Sequence, residues 1–374
     1  MNAEVIEMFQ AEAIAALPQS FLGSMYQWGI EVIRVIQRIE SPALTVLIKF
    51  ITALGTEAFY IPMILFIFWW IDEKQGLRFG ILVVLSGWIN SVVKDLLKQP
   101  RPYNLVPSLG MAFESSYGAP SGHAQNSLVF WIPMAAWLSR KVKGKFASAQ
   151  ATGKNSAGEN PERKQFLIWA GVVFFVLLIG FTRLYLGVHF PTDLFAGWTL
   201  GGIILVLCFI PGPKLEKLFA RAGARSQNIC IAVIALVMNG LYPRDRSLAA
   251  LFLGFGIGYT LMKTRFPFFA RGEINGKKPG VQVMIFRCLI GFAGMVAIYI
   301  GLKLVFPGEG SLFSGIPVWG PASPFYEIGR FVRYGLLGLW ASAGAPWIFR
   351  RMGLANNSAV PASGKDDSGN NKES

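Results

Sequence analysis

Histidine is almost missing from this chain, with two in 374 residues. Charge is also scarce: Asp, Glu, Lys and Arg make up 15%, where a soluble domain carries about 25%. Cysteine is limited to Cys208, Cys230 and Cys288, all inside apolar runs. Their spacing suits neither a zinc site nor a disulfide framework, so buried free thiols are expected. No short basic stretch leads into an apolar core and a cleavage site near residue 1, so no removable signal peptide is expected. Acidic residues are outnumbered by basic ones, 21 to 35, for a net charge of +14. Such a balance suggests nucleic acid only if it forms a basic face on a soluble fold. Here Lys and Arg sit in short loops between apolar runs, so nucleic acid is excluded as a partner and the charge is read as setting membrane topology.

Apolar residues are abundant. They make up 53% of the chain, and they come in blocks such as "EAFYIPMILFIFWWI" and "FLIWAGVVFFVLLIGF". A helix crossing a bilayer needs about 20 such residues. The fold class is therefore all-α, a polytopic integral membrane protein. Spans are predicted at 54–71, 79–97, 123–139, 166–182, 190–210, 228–242, 247–262, 282–306 and 327–349, about nine in all. Alternate loops test the topology: those at 71–78, 140–164, 212–227 and 263–281 hold 18 Lys and Arg, and those at 98–122, 182–190, 241–247 and 307–326 hold 5. The richer set is assigned to the cytoplasm together with the C-terminus, and the N-terminus to the outside, a periplasm or lumen.

Residues 1–50 are read as amphipathic interfacial helices, because "SMYQWGIEVIRVIQRIE" carries Glu31, Arg34, Arg38 and Glu40 along an otherwise apolar repeat; a re-entrant pair is the variant of this reading. Residues 51–211 form a core of about five spans. Residues 212–353 form a C-terminal unit of about four spans without an assigned role, where Arg287, Lys303, Arg330 and Arg333 are expected to snorkel from helix ends. Segments 144–162 and 354–374 are small, polar and expected to be disordered.

The two histidines stand at the outer starts of two spans. His123 follows Pro120-Ser121-Gly122, and His189 lies in "FTRLYLGVHFPTDLFAGW". The outer helix ends and loops beside them carry Lys94, Arg101 and Arg183. Three cations can surround a tetrahedral anion, arginine by a planar fork and lysine as a point charge. Ser121 suits an N-cap, and Gly122 lets a ligand approach backbone N–H groups at the positive end of a helix. His189 and Asp193 are one turn apart on a common face. The carboxylate can fix the imidazole tautomer and leave the other nitrogen bare as a nucleophile, with His123 as proton donor. Asn90, Tyr103 and Asn126 are candidate pocket-lining residues.

The order K-x6-R-P (Lys94 to Pro102), P-S-G-H (Pro120 to His123) and T-R-x5-H-x3-D (Thr182 to Asp193) resembles the three-part signature of the type 2 phosphatidic acid phosphatase superfamily over roughly residues 50–210. The resemblance implies a phosphatase-superfamily helical core. It also implies a metal- and cofactor-independent phosphatase that acts on lipid phosphate monoesters or diphosphates at the outer membrane face. In that scheme His189 becomes a phosphohistidine, Asp193 supports it and His123 protonates the leaving group. Lys94, Arg101, Arg183, Ser121 and Gly122 bind the phosphoryl oxygens. Thr182 departs from the family's usual serine but keeps the hydroxyl. The expected partners are a lipid phosphate, the membrane and, as a further option, a second copy of the chain. The expected location is a plasma or inner membrane. Two rival readings remain at this stage. One is a glucose-6-phosphatase-like enzyme acting on a soluble phosphate ester, against which Asp193 counts. The other is a non-catalytic lipid-phosphate binder or transporter.

Overall fold

The computed structural model describes residues 20–152, 160–308, 311–313, 319 and 323–356. Every extended element among them is a helix. In chain order these are α1 (Phe21–Gln37), α2 (Pro42–Ala53), α3 (Glu57–Phe66, continued by a π turn Ile67–Ile71), α4 (Glu73–Leu97) and the single turn α5 (Pro102–Leu105). There follow α6 (Gly122–Ala151), α7 (Pro161–Tyr185), α8 (Pro191–Phe209), α9 (Gly212–Arg221), α10 (Ala224–Leu241), α11 (Ser247–Arg265) and α12 (Val281–Val305). The last are α13 (Tyr326–Leu339), a π turn Trp340–Gly344 and α14 (Ala345–Arg351). Among the described residues six helices are long and apolar enough to cross a membrane, or seven if α2 and α3, bent by 48° at their junction, form one span. The protein is a polytopic helical membrane protein.

Contacts divide the chain into two compact units: Met1–Ile64, Arg78–Ala222 and Leu236–Leu248 make the first, and Leu65–Leu77, Gly223–Ala235 and Ala249–Ser374 the second. In the first, α6 packs against α7 and α8. The α6–α8 crossing is close because residue 197 is glycine: a Cβ there would stand 2.6 Å from the Ser121 carbonyl oxygen. Buried polar side chains tie α4 to α6. Ser86 Oγ donates to Asn126 Oδ1 at 2.6 Å, Gln125 Nε2 donates to Ser86 O at 2.8 Å, and Asn90 Nδ2 donates to Gln125 Oε1 at 2.8 Å. Such bonds substitute for the water that buried amides would otherwise lose.

Helix starts follow local chemistry. Asn160 caps α7 by accepting from Glu162 N and Arg163 N at 2.9 and 3.1 Å, with Pro161 at the first position. Ser20 caps α1 through Gly23 N at 3.2 Å. The buried face of α1, Ile30 and Ile33, packs with Val106, Leu109 and Phe190, while Phe21, Leu22 and Trp28 remain exposed. Helix α6 runs to Ala151, past the predicted end near 139, because "KFASAQA" is built of good helix formers. Of the two segments expected to be disordered, 153–159 and 357–374 lie outside the described residues, as do residues 1–19. The loop at 212–227 holds α9, which buries no residue and is joined to α4 by Arg78, whose Nη2 meets Glu216 Oε1 at 2.8 Å.

The second unit is built on Phe68, Trp69, Phe255, Met262, Phe268, Ala341 and Phe349. Its Arg287 does not snorkel. It is fully buried, donates to the carbonyls of Leu354 (2.8 Å), Trp69 (3.2 Å) and Ala270 (2.6 Å), and stacks over Phe268 at 5.1 Å. The guanidinium is needed because three carbonyls at helix ends and turns have no helical partner there. The cysteines are free, but Cys208 and Cys230 are exposed and Cys288 is half-buried, so they face outward from the helices and not inward as expected. An apolar run in a membrane helix does not mark which face meets lipid.

Candidate active site

Lys94 stands at the last turn of α4, and Arg101 immediately before α5. Arg183 lies in the last turn of α7, His189 in the turn that follows, and Asp193 in the first turn of α8. Ser121 caps α6, and Gly122 and His123 begin it. The structure brings these separate helix ends into one cluster in the first unit.

His189 is buried, with 1% of its surface exposed. Its Nδ1 lies 3.2 Å from Asp193 Oδ2, and its Nε2 lies 3.3 Å from Arg101 Nη1. With Nδ1–H given to the carboxylate, Nε2 is the bare nitrogen and accepts from Arg101. Arg101 Nη1 also donates to Val188 O at 2.9 Å, beside the histidine. Burial, then the charges of Arg101, Lys94 and Arg183, hold the imidazole well below the ordinary histidine value, so it is neutral. Asp193 Oδ2 also accepts from Phe190 N at 2.9 Å, and Asp193 O accepts from Ser121 N at 2.9 Å, joining the two motif loops.

The loop after α5 supplies contacts that the sequence reading did not anticipate. Arg101 donates to Ser116 O (2.7 Å), Ser116 Oγ (3.0 Å) and Tyr117 O (3.0 Å). Lys94 Nζ donates to Tyr117 O at 2.8 Å. Glu114 bridges two cations, with Oε2 2.7 Å from Arg101 Nη2 and Oε1 bonded to Arg183 Nη2. Burial alone pushes this carboxyl up, but Arg183 and Arg101 pull it further down, to a net value below the usual carboxylate range. Arg183 is braced by Thr52 Oγ1 at 2.7 Å. One signal for Glu114 was present: it is the only acidic residue between Lys98 and Gly122.

The remaining candidates separate by contact. Ser121 Oγ accepts from Ala124 N at 3.5 Å, an N-cap contact. His123 Nε2 is buried and has no hydrogen-bond partner. A cavity of about 390 Å³ is lined by residues that include Gly122, His123, Lys94, Glu114, Asn90 and Asn126. Tyr103 is buried and its hydroxyl binds both backbone groups of residue 114, donating to the carbonyl at 2.7 Å and accepting from the N–H at 3.0 Å. Thr182 Oγ1 turns back to Ile179 O at 2.6 Å, so its hydroxyl serves its own helix.

A buried neutral imidazole held by a carboxylate and faced by cations, in a bundle of apolar helices, fits one class: membrane-embedded hydrolases of phosphoric esters. Residues 75–215 match the PAP2 superfamily, and residues 246–357 match the PAP2 superfamily phosphatase, transmembrane extension. The chain is 30% identical over 173 residues to phosphatidylglycerophosphatase B of Bacillus subtilis (strain 168), covering 45% of this chain and 75% of that protein. It is 27% identical over 201 residues to sphingosine-1-phosphate phosphatase 2 of Mus musculus, covering 53% of this chain and 50% of that one. A crystal structure of a transmembrane PAP2 type phosphatidylglycerolphosphate phosphatase from Bacillus subtilis aligns with 55% of this chain and 92% of its own, at 24% identity and a TM-score of 0.41. The chain belongs to the PAP2 superfamily.

Proposed function

We propose that the protein hydrolyses lipid phosphate monoesters or diphosphates through a phosphohistidine intermediate. The observation that carries this reading is the setting of His189, with Asp193 on Nδ1 and the Arg101 guanidinium at Nε2. In the first step Nε2 bonds to phosphorus as the bond to the leaving oxygen breaks, and His123 gives that oxygen a proton. The incoming dianion offsets the surrounding positive charge and so lets His123 carry the proton. In the second step His123 takes a proton from water, the water oxygen bonds to phosphorus, the N–P bond breaks and inorganic phosphate leaves. Lys94, Arg101, Arg183, the Ser121 hydroxyl and the Gly122 N–H hold the phosphoryl oxygens. These cations and amides do the charge stabilisation, so the scheme assigns no step to a metal.

The lipid class follows from the apolar helices around the site and from relatives named for lipid phosphates. Phosphate release from phosphatidic acid, phosphatidylglycerol phosphate, a sphingoid phosphate, a prenyl diphosphate and glucose 6-phosphate, by wild type and His189→Ala in mixed micelles, tests it. Turnover of a lipid substrate that disappears in the variant is expected, with a labelled phosphoenzyme trapped only in wild type. Undiminished release by His189→Ala, or turnover of glucose 6-phosphate alone, overturns it.

The proposal includes nine spans: α3, α4, α6, α7, α8, α10, α11, α12 and the α13–α14 segment. It keeps residues 51–211 as the phosphatase core and 212–353 as the C-terminal unit, with the site on the outer face and the C-terminus in the cytoplasm. Support comes from the loop charges, 18 against 5. Single cysteines at Phe113 and Lys217 test the orientation with an impermeant maleimide. The first labels from outside in intact cells, and the second only after lysis.

A further inference from the structure

Glu114 lies in none of the three motifs, yet its carboxylate spans two of the three cations that the phosphatase reading assigns to the phosphoryl group. Two carboxylate oxygens facing two guanidinium groups present the same pattern as two oxygens of a phosphoryl group. Both backbone groups of residue 114 are held by the Tyr103 hydroxyl, so the segment is fixed at that point. The side chain is 29% exposed and borders the cavity, so it can swing out by rotation about its own bonds without moving the loop.

We propose that Glu114 is the resting occupant of the phosphoryl seat, displaced by a terminal phosphate dianion and not by the monoanionic phosphodiesters of bulk membrane lipids. Without an anion, Arg101 and Arg183 would stand close together without a counter-charge, which burial makes costly. The carboxylate meets that need and so competes with every incoming anion. Apparent affinity then falls by the fraction of molecules in which the seat is open. A dianion is drawn by twice the charge and overcomes this threshold. A diester carries the same single charge as the carboxylate it must displace and does not. The same competition helps to expel inorganic phosphate after hydrolysis.

The inference rests on the phosphatase reading of the site, but binding tests it without turnover. Inorganic phosphate and dimethyl phosphate are titrated calorimetrically, near pH 8 in an uncharged maltoside detergent, into wild type and Glu114→Gln. Phosphate is expected to bind the variant about tenfold more tightly. Dimethyl phosphate is expected to bind the variant measurably and the wild type not at all. Glu114→Asp keeps the charge but, from a backbone held by Tyr103, is one methylene too short to span both arginines. It is expected to fall between the two, and it guards against misfolding of the Gln variant. Phosphate binding that is unchanged or weaker in Glu114→Gln overturns the proposal and makes Glu114 an orienting residue only. If binding behaves as expected while no lipid phosphate is hydrolysed, the catalytic reading fails and the occupancy of the seat stands.

Discussion

One oxygen of Asp193 serves two partners: Oδ2 is 3.2 Å from His189 Nδ1 and 2.9 Å from Phe190 N. The first contact orients the imidazole and the second satisfies an N–H group at the start of α8. The two roles separate by substitution. Asn with its amide oxygen at the Oδ2 place can still accept from both groups, but it carries no negative charge to support the positive charge that builds on the imidazole during attack. Asp193→Asn is expected to lose about 10²-fold or more in kcat while its melting temperature holds. Asp193→Ala is expected to lose the rate and also about 1 kcal/mol of stability with the cap. Equal melting of the two variants in detergent would contradict the capping role.

With two histidines in the chain, the charge state of His189, the proposed nucleophile, is directly observable. The imidazole ¹⁵N spectrum holds two sets of signals, assigned by His123→Ala. His189 is expected to stay neutral well below pH 6.5, the ordinary histidine value. The sign for stability follows. Because its folded value is depressed, the unfolded chain binds the proton first, and stability falls as pH drops below about 6.5. Glu114 acts in the same direction at lower pH. Its ion pairs stabilise the fold above the unfolded carboxylate value of about 4.3 and are lost as pH falls through the depressed folded one. The His189 contribution is isolated by melting wild type and His189→Gln between pH 7 and 5, where the wild type should lose more stability on acidification than the variant. An equal loss in the two would contradict the His189 assignment, and Glu114→Gln makes the same comparison for Glu114 below about pH 4.3.

The N-terminal helix packs on the His189 loop at Phe190, through Tyr26, Gly29, Ile30 and Ile33. A Cβ at residue 29 would stand 2.6 Å from Phe190 Cδ1, next to His189 in the chain. Gly29→Ala is expected to cost about 1–3 kcal/mol by overpacking and to lower kcat along with it. Wild-type melting and rate in this variant would mean that α1 only covers the loop.

In the second unit Arg287 supplies three carbonyl groups with donors. Arg287→Met leaves them unsatisfied in an apolar core, at about 1–3 kcal/mol for each group. A large fall in melting temperature is expected, with Arg287→Lys recovering only part because an ammonium cannot match the planar fork. Melting unchanged in Arg287→Met would show that water or another group replaces the guanidinium.

That Lys94, Arg101, Ser121, Arg183, His189 and Asp193 gather at one place was legible from sequence, because the chemistry proposed for them needs rare residue types at fixed offsets. In a chain with two histidines, each beside arginine or lysine at a helix end, few other arrangements suit those residues. The contacts of Glu114, Ser116 and the Tyr117 carbonyl were not legible, although Glu114 stands out as the one carboxylate between Lys98 and Gly122. They act through a loop whose path depends on Tyr103 and on the packing of α1, and no spacing in the chain encodes that path. Arg287 was misjudged for a related reason: its position suggested a helix end near water, and its three acceptors come from segments far away in sequence.

Composition and hydropathy alone determined that this is a helical membrane protein, since a long apolar run has few other stable environments. Motif spacing alone determined which helix ends carry the histidines and their neighbouring cations, since a helix start and a turn of 3.6 residues are local properties. Only the tertiary structure decided that the arginines are already engaged by a carboxylate, that Asp193 is shared between an imidazole and a helix cap, and that an arginine lies wholly inside the second unit. Each of these depends on distances between segments remote in the chain. Such distances are set by close packing of side chains and by the requirement that buried charges and carbonyls find partners.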